Sequence, residues 1–505
     1  MSKTGAGVRA EGPAEAEAAI RRFLSSARQP VLVEPGENQF PLEESSYSLE
    51  WRGSRFLVEV WDETRNLARR VTGVRDERPG KLELTIERFG GEQGRILLLD
   101  LSRSGRAEER RGARLVWREE FRRSLHRQFP DWRIAGLSSE PNLEESLSPA
   151  YPRALIRNGT TGRAAIFSPP EAGAAAGAVT FGLVWLDYLR RRERRLAIEG
   201  LALFVPQAEA RAAYLRLPFL NPRAARFDAF VYTAEGYEDR FDPADYGNLE
   251  TELETAATPL LDRASPVAAA VARISDLPFV EKIARNDGAL SLRVRGIEFA
   301  RATRSGLLYG LERKTVAREA SLPEVEALAR ELARLRTAGA PDRATPLWRQ
   351  QPEAWLESEV RAHLGAIDPS LCPEPVYGQV PAIAGGDRGV IDLLAAGRDG
   401  RLAVLELKAS EDIHLPLQAL DYWMRVRWHA EHGEFSRKGY FPGLTLRQEW
   451  PRLLLIAPAL SFHPKTETIL RYFAPEIEVE RIGLGVEWRQ GPRVMFRVQG
   501  DRQPV

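Results

Sequence analysis

The chain of 505 residues reads as an α/β multidomain protein containing two copies of one plan, each a helix, three strands, a helix and a strand. Three observations predict this. Similar segments recur in the same order in both halves, and strand-type alternation and helix-type periodicity take turns along each. The length also exceeds one ordinary core, so two to four domains are expected. A small β-rich module is expected ahead of each copy.

Residues 1–30 read as an N-terminal tail and helix, with apolar periodicity from about 13 to 29. Residues 31–105 form a β-rich module, because "YSLEWRG", "RFLVEVWD", "KLELTIERFG" and "GRILLLDL" all alternate like strands. The first copy, 106–245, opens on the basic helix "WREEFRRSLHRQF". It continues through short strands, the helix "GAVTFGLVWLDYLRRRER" and the apolar strand "LAIEGLALFVP". Aspartate, proline and glycine gather at "RFDPADYGN", which marks an edge.

Residues 246–340 are read as a β-hairpin and helical connector. "LSLRVRGIEFAR" from Leu290 echoes "YSLEWRGSRFLVEV" from Tyr47, and "SLPEVEALARELARLR" is a helix with Ser321 as N-cap, followed by the linker "TAGAPDRATP". The second copy spans 345–500. There "EAWLESEVRAHL" takes the place of the basic helix, "LDYWMRVRWH" answers "LDYLRRRERR", and "RLLLIAPALSFHP" answers "RLAIEGLALFVP".

Composition narrows the function. With 43% hydrophobic and 28% charged residues and a net charge of +1, the protein is of soluble globular type, and any nucleic-acid surface must be a local patch. The single cysteine, Cys372, excludes a disulfide framework and a cysteine-rich zinc module. The N-terminus lacks a signal-type apolar core and no segment reads as a membrane span, so no membrane partner and a cytoplasmic location are expected.

Lysine is rare, seven among 72 basic residues, which draws attention to Lys408. It lies in "GVIDLLAAGRDGRLAVLELKAS", Gly389 to Ser410, which reads as an antiparallel hairpin turning at "RDG". Alternation sends Glu406 and Lys408 to one face and Leu405 and Leu407 to the other, while Asp392 on the neighbouring strand can reach the first face. Two carboxylates supply hard oxygen ligands for Mg²⁺, which keeps several waters and binds phosphate oxygens. A compact ammonium beside them suits an attacking water. Against this stands the plain reading of Glu-x-Lys as a solvated surface ion pair.

These residues resemble the PD-(D/E)XK nuclease superfamily, whose restriction-endonuclease-like core is a helix, three strands, a helix and a strand. Asp392, Glu406 and Lys408 fit its pattern, with Ile391 standing where the family's proline would be. The flanks look like the archaeal mismatch-type endonucleases, and "QALDY" is similar to the Gln-x-x-x-Tyr element of RecB-like branches, giving Gln418 and Tyr422. In some branches the first helix adds a glutamate, for which Glu359 is chosen and Glu357 is the alternate. The resemblance covers Leu347 to Val498 and is specific from Gly389 to Tyr422.

It implies a Mg²⁺- or Mn²⁺-dependent nuclease. Asp392 and Glu406, with Glu359, would hold the metal; Lys408 would orient the attacking water; Gln418 and Tyr422 would support the site. DNA is the expected partner, RNA the other nucleic acid, and a homodimer a further expectation. The rival is a non-catalytic nucleic-acid-binding or scaffolding protein on a relic fold. His414 and His463 are read as ordinary structural residues.

Aligning "GRLAVLELK" with "GRAAIFSPP" puts Ser168 at the place of Glu406 and Pro170 at that of Lys408. Ala154 then matches Asp392, Val184 matches Gln418, and Tyr188 keeps the place of Tyr422. The first copy is therefore expected to be degenerate. Its run Arg190–Arg195 reads as a solvated helix end, and Trp51, Phe56 and Trp61 as core aromatics sooner than base-stacking residues.

Overall fold

The computed structural model describes residues 12–28, 30–34, 38–42, 47–52, 55–61, 66–78, 80–87, 93–100, 105–171, 173–233, 238–241, 251–258, 266–340, 342–384 and 387–501. The protein is mixed α/β, with four sheets among these residues. It divides into two compact units, residues 1–113 with 340–352, and residues 114–339 with 353–505. These units cut across the five segments expected from sequence: both copies, apart from their first eight residues, fall in the second.

The first unit is a seven-stranded antiparallel sheet, in the order Asn38–Pro41, Pro30–Glu34, Gln93–Asp100, Lys81–Glu87, Asn66–Arg78, Arg55–Trp61, Tyr47–Arg52. The helix Pro13–Ser26 buries Ala16, Ala19, Ile20 and Phe23, spaced for one helical face. Phe56 belongs to this core, whereas Trp51 is 43% exposed with its ring 5.4 Å from Phe56 and its indole N–H donated to Glu17 at 2.6 Å. The Trp61 side chain lies outside the described residues, as does the expected edge at 242–250.

The two copies share one topology. The first runs α1 (Gly105–Gln128), β1 (Arg133–Ser138), β2 (Arg153–Asn158), β3 (Thr161–Phe167), α2 (Ala174–Arg192), β4 (Ala197–Pro206), β5 (Arg226–Tyr232) and β6 (Glu238–Phe241). The second runs α3 (Pro352–Ala362), β7 (Tyr377–Ala384), β8 (Asp387–Ala396), β9 (Leu402–Leu407), α4 (Leu415–Glu431), β10 (Arg452–Pro458), β11 (Val479–Leu484) and β12 (Val494–Gln499). In each, three strands form an antiparallel meander. A helix then crosses to a strand parallel to the third, a further parallel strand follows, and the last is antiparallel. The second sheet carries one addition, the strand Thr251–Leu253 on the outer edge of β7.

Burial patterns explain why the sheets are sandwiched. Along β3, Ala164 and Ile166 enter one core while Ala165 and Phe167 enter another, where they meet Phe121 and Leu125 of α1 and Phe129 just past its end. The core on the other face is common to both copies. It joins Leu155, Leu183, Leu186 and Leu203 to Leu394, Val404, Leu420 and Trp423.

Between the copies lies an antiparallel five-stranded sheet, from Glu281–Ala284 to Thr315–Val316. The hairpin that echoes Tyr47–Trp61 is its pair Leu290–Val294 and Ile297–Thr303, turning at Arg295 and Gly296 with φ of 45° and 83°. A two-residue hairpin of this kind needs positive φ at both positions. A Cβ on Gly296 would also meet the Ala354 carbonyl at 2.4 Å. The following helix, Leu322–Leu335, has Ser321 at its N-cap position as expected; Ser321 also closes a 3₁₀ turn at Glu319–Ser321, and its Oγ accepts the Arg318 backbone N–H at 3.4 Å instead of capping the helix. Among the described residues no helix is long and apolar enough to cross a membrane.

Candidate active site

The site forms where β8 and β9 run out against α4. Every residue of β9 is buried, and Leu402 and Val404 enter the shared core. Alternation carries Glu406 to the same face, where it is 1% exposed. β8 and β9 pair through Leu393 and Leu405, so Asp392 stands one step further along, beside Glu406. There its Oδ2 accepts the Leu407 backbone N–H at 2.9 Å.

Two carboxyl groups are thus held together away from water. Burial, reinforced by Glu357 and Glu353 against the opposing Leu407 N–H and Lys408, pushes Asp392 up to about 7. Burial and then the charge of Asp392 hold Glu406 well above the usual carboxylate range. Glu406 Oε2 has no hydrogen-bond partner. A buried acceptor with none is expensive, and a cation is the natural partner for two such oxygens.

Lys408 follows the strand, its backbone N–H donated to Ile456 at 3.0 Å. Its Nζ lies 3.8 Å from Glu353 Oε1 and 3.7 Å from Asp412 Oδ2. Burial would lower its pKa, but Glu353, Glu406, Asp412 and Asp392 outweigh burial and raise it. The ammonium therefore stays charged at neutral pH, so it serves as a fixed positive charge and donor, not as a base.

The helix α3 adds acidic groups, but not the one chosen from sequence. Glu353 and Glu357, one turn apart, carry the charges felt at Asp392. Glu359 is held elsewhere, accepting from the Trp355 indole at 3.0 Å and lying 3.7 Å from Arg295 and 3.8 Å from His363. Two residues along a helix is a turn of about 200°, so Glu357 and Glu359 cannot serve the same side. Glu353 was missed, although its spacing from Glu357 was the available signal. On α4, Gln418 and Tyr422 share a face, with Gln418 Nε2 3.5 Å from the Tyr422 hydroxyl. Burial and then the charge of Glu406 raise the Tyr422 pKa.

These groups fit a hard divalent cation. Among the described residues no three His, Cys, Asp or Glu side chains gather tightly enough to hold an ion unaided. Mg²⁺ does not require that: it is commonly bound by one or two carboxylates, with waters and phosphate oxygens completing the shell. The orphaned Glu406 oxygen and the neighbouring Asp392 supply that pair.

The corresponding end of the first copy is differently furnished. Ser168 donates its backbone N–H to Phe204 at 2.8 Å, as Lys408 does to Ile456, and Phe204 and Ile456 each lie two residues before the closing proline of their strands. Ser168 is therefore the counterpart of Lys408, and Ile166 that of Glu406. Ile166 pairs with Arg153 across the ladder, which places Arg153 at the position of Asp392. This corrects the sequence alignment by two residues on β3, where Ser168 and Pro170 are replaced as the counterparts of Glu406 and Lys408, and by one residue on β2, where Arg153 replaces Ala154.

Arg153 is 5% exposed, its guanidinium 5.5 Å from the Trp185 ring, and its Nε and Nη1 have no hydrogen-bond partner. Val184 is buried, and Tyr188 stacks on Trp185 and accepts from Arg192 at 3.3 Å. The arginine run is partly tied down: Arg190 donates to the Ile198 and Ala224 carbonyls, and Arg191 pairs with Asp187 and Glu145.

No family model matches the chain, and no curated protein matches it.

Proposed function

We propose that the protein is a divalent-metal-dependent nuclease that hydrolyses phosphodiester bonds of DNA, with the second copy as a PD-(D/E)XK-type catalytic domain. One observation carries this reading: Asp392 and Glu406 are buried side by side, one with an unpartnered oxygen, beside a charged lysine at the open end of a sheet. Carboxyl groups whose ionisation the fold opposes gather at functional sites, which supports this reading. The helix, three-strand meander, helix and parallel strand around them support the same reading.

A bound Mg²⁺ or Mn²⁺ would supply a water of lowered pKa and draw charge from the phosphoryl oxygens. Asp392 and Glu406 would hold that cation as carboxylates. Lys408 presents its ammonium to the attacking water and a phosphate oxygen, with Glu353 and Asp412 fixing its place. Gln418 and Tyr422 close the site on the α4 side.

The test is cleavage of labelled linear, circular and single-stranded DNA, with an RNA control, in Mg²⁺ and Mn²⁺, alongside calorimetric titration of the metal. Wild type should cut and bind metal, and Glu406→Gln should do neither. Metal-independent cutting, or full activity in Glu406→Gln, would overturn the mechanism. Nucleic-acid binding with no cutting and no metal uptake would favour the scaffolding alternative.

A further inference from the structure

The copies meet through contacts that map onto one another when the copies are exchanged. Asn221 N–H donates to the Tyr472 carbonyl and Ala474 N–H donates to the Phe219 carbonyl, each at 2.8 Å, on either side of an antiparallel bridge between Leu220 and Phe473. Two ion pairs also join the copies without being counterparts in this register: Arg216 forks onto Asp421 at 2.8 and 2.6 Å, and Arg471 reaches Asp187 at 3.0 Å. Asp187 and Asp421 are the aspartates of the two Leu-Asp-Tyr triplets, in α2 and α4.

Thr180 Oγ1 lies 3.0 Å from His414 Nδ1. Thr180 precedes Tyr188, and His414 precedes Tyr422, by the same eight residues, so each touches its own counterpart. Only residues on a two-fold axis do that. This is an isologous interface made inside one chain, and it gives His414 a place that its loop position in the sequence did not suggest.

The pair is symmetric in backbone but not in chemistry. One member has Asp392, Glu406 and Lys408; the other has Arg153, Ile166 and Ser168, where a buried guanidinium repels a divalent cation. The antiparallel strands of a duplex are themselves related by two-fold axes, which a two-fold protein matches when it binds. A pair with two loaded sites would address both strands. We infer that this chain cuts only one strand of a duplex in each encounter, its silent copy seated against the strand left intact.

The inference rests on the nuclease reading of the second copy. Each event consumes one water: its oxygen bonds to phosphorus, one P–O ester bond breaks, and the departing oxygen takes up a proton. One backbone break is the whole product.

The experiment is a time course on supercoiled plasmid in Mg²⁺, with light scattering of the protein on a short duplex. Nicked circles should accumulate almost to completion before linear DNA appears, with one chain per duplex. Linear product rising together with nicked circles from the first time point would overturn the inference, as would two chains per duplex bringing two loaded sites together. Cleavage of single strands with the supercoiled plasmid untouched would also overturn it while leaving the nuclease reading standing. No cleavage of any nucleic acid would remove the nuclease reading, and the inference with it.

Discussion

At the end of β9 the second copy buries Glu406 beside Asp392, whereas at the end of β3 the first copy buries Ile166 beside Arg153. The surrounding strands, their order and the ladder bond just past each strand end are the same. What differs is whether the sheet end holds charge that the fold opposes. An isoleucine there gains from burial; a glutamate there loses by it. The contrast separates what the scaffold needs from what the chemistry needs.

The largest way to break the contrast is to neutralise the loaded end. Glu406→Gln and Lys408→Ala should each lower the cleavage rate on the order of a thousandfold, the several kcal/mol that metal and charge stabilisation supply. Single-turnover rates on labelled DNA measure this. Asp392→Asn should match them with little folding cost, because the amide oxygen can still accept the Leu407 N–H.

Next comes the interface. Arg216 is buried and also donates to the Ala176 carbonyl at 2.6 Å, so Arg216→Ala should cost about 3 kcal/mol in urea unfolding. Arg471, which pairs with Asp187 from the other copy, has a half-exposed side chain, and Arg471→Ala should cost about 0–1 kcal/mol. Equal costs would show that burial does not set the worth of these two ion pairs.

A third measurement concerns stability against pH. Asp392 is raised to about 7 from an ordinary value near 4, and Glu406 is raised too, so the metal-free folded state binds more protons than the unfolded state over that interval. The stability this contributes is complete below about pH 4 and is lost as pH rises through about 7. Melting scans without metal should show this decline. Glu406→Gln should flatten it and melt higher than wild type at pH 8, by about 2 kcal/mol in stability. Mg²⁺ should stabilise wild type at pH 8 and leave Glu406→Gln unmoved.

The smallest effect belongs to the silent end. Arg153→Met removes a buried guanidinium with two unpartnered nitrogens and keeps the apolar stem, and should leave stability unchanged or raise it by about 1 kcal/mol. A loss of several kcal/mol would instead show that the guanidinium over Trp185 holds the first copy together.

The hairpin carrying Asp392, Glu406 and Lys408 was legible because a period of two and a turn at Asp399-Gly400 settle which residues share a face. The same period hid the true counterparts in the first copy. A shift of two residues leaves every side chain on its original face, so the pattern accepts Ser168 as readily as Ile166 opposite Glu406, and only the ladder bonds decide. Glu359 was preferred over Glu357, and Glu353 missed, because a helix announces its apolar stripe but not which of its acidic flanks meets a neighbouring strand. Ser321 stands at the N-cap position its residue type suggested, yet the 3₁₀ turn before it directs its hydroxyl to the Arg318 N–H, which residue type alone does not show. The contact of Thr180 with His414 joins residues far apart in sequence and has no local signature at all.

The reciprocal backbone bonds at Phe219–Asn221 and Tyr472–Ala474 bear on dilution. Two separate polypeptides joined by such an interface would come apart as their concentration falls, because pairing between molecules follows mass action. Here the pair is tethered, and its effective concentration is set by the connecting chain and not by the number of molecules in the cell. A few copies are as fully assembled as many, and a substitution that disables one half cannot be rescued by an intact half from another molecule. Such an arrangement lets one site lose its chemistry without the assembly losing its shape.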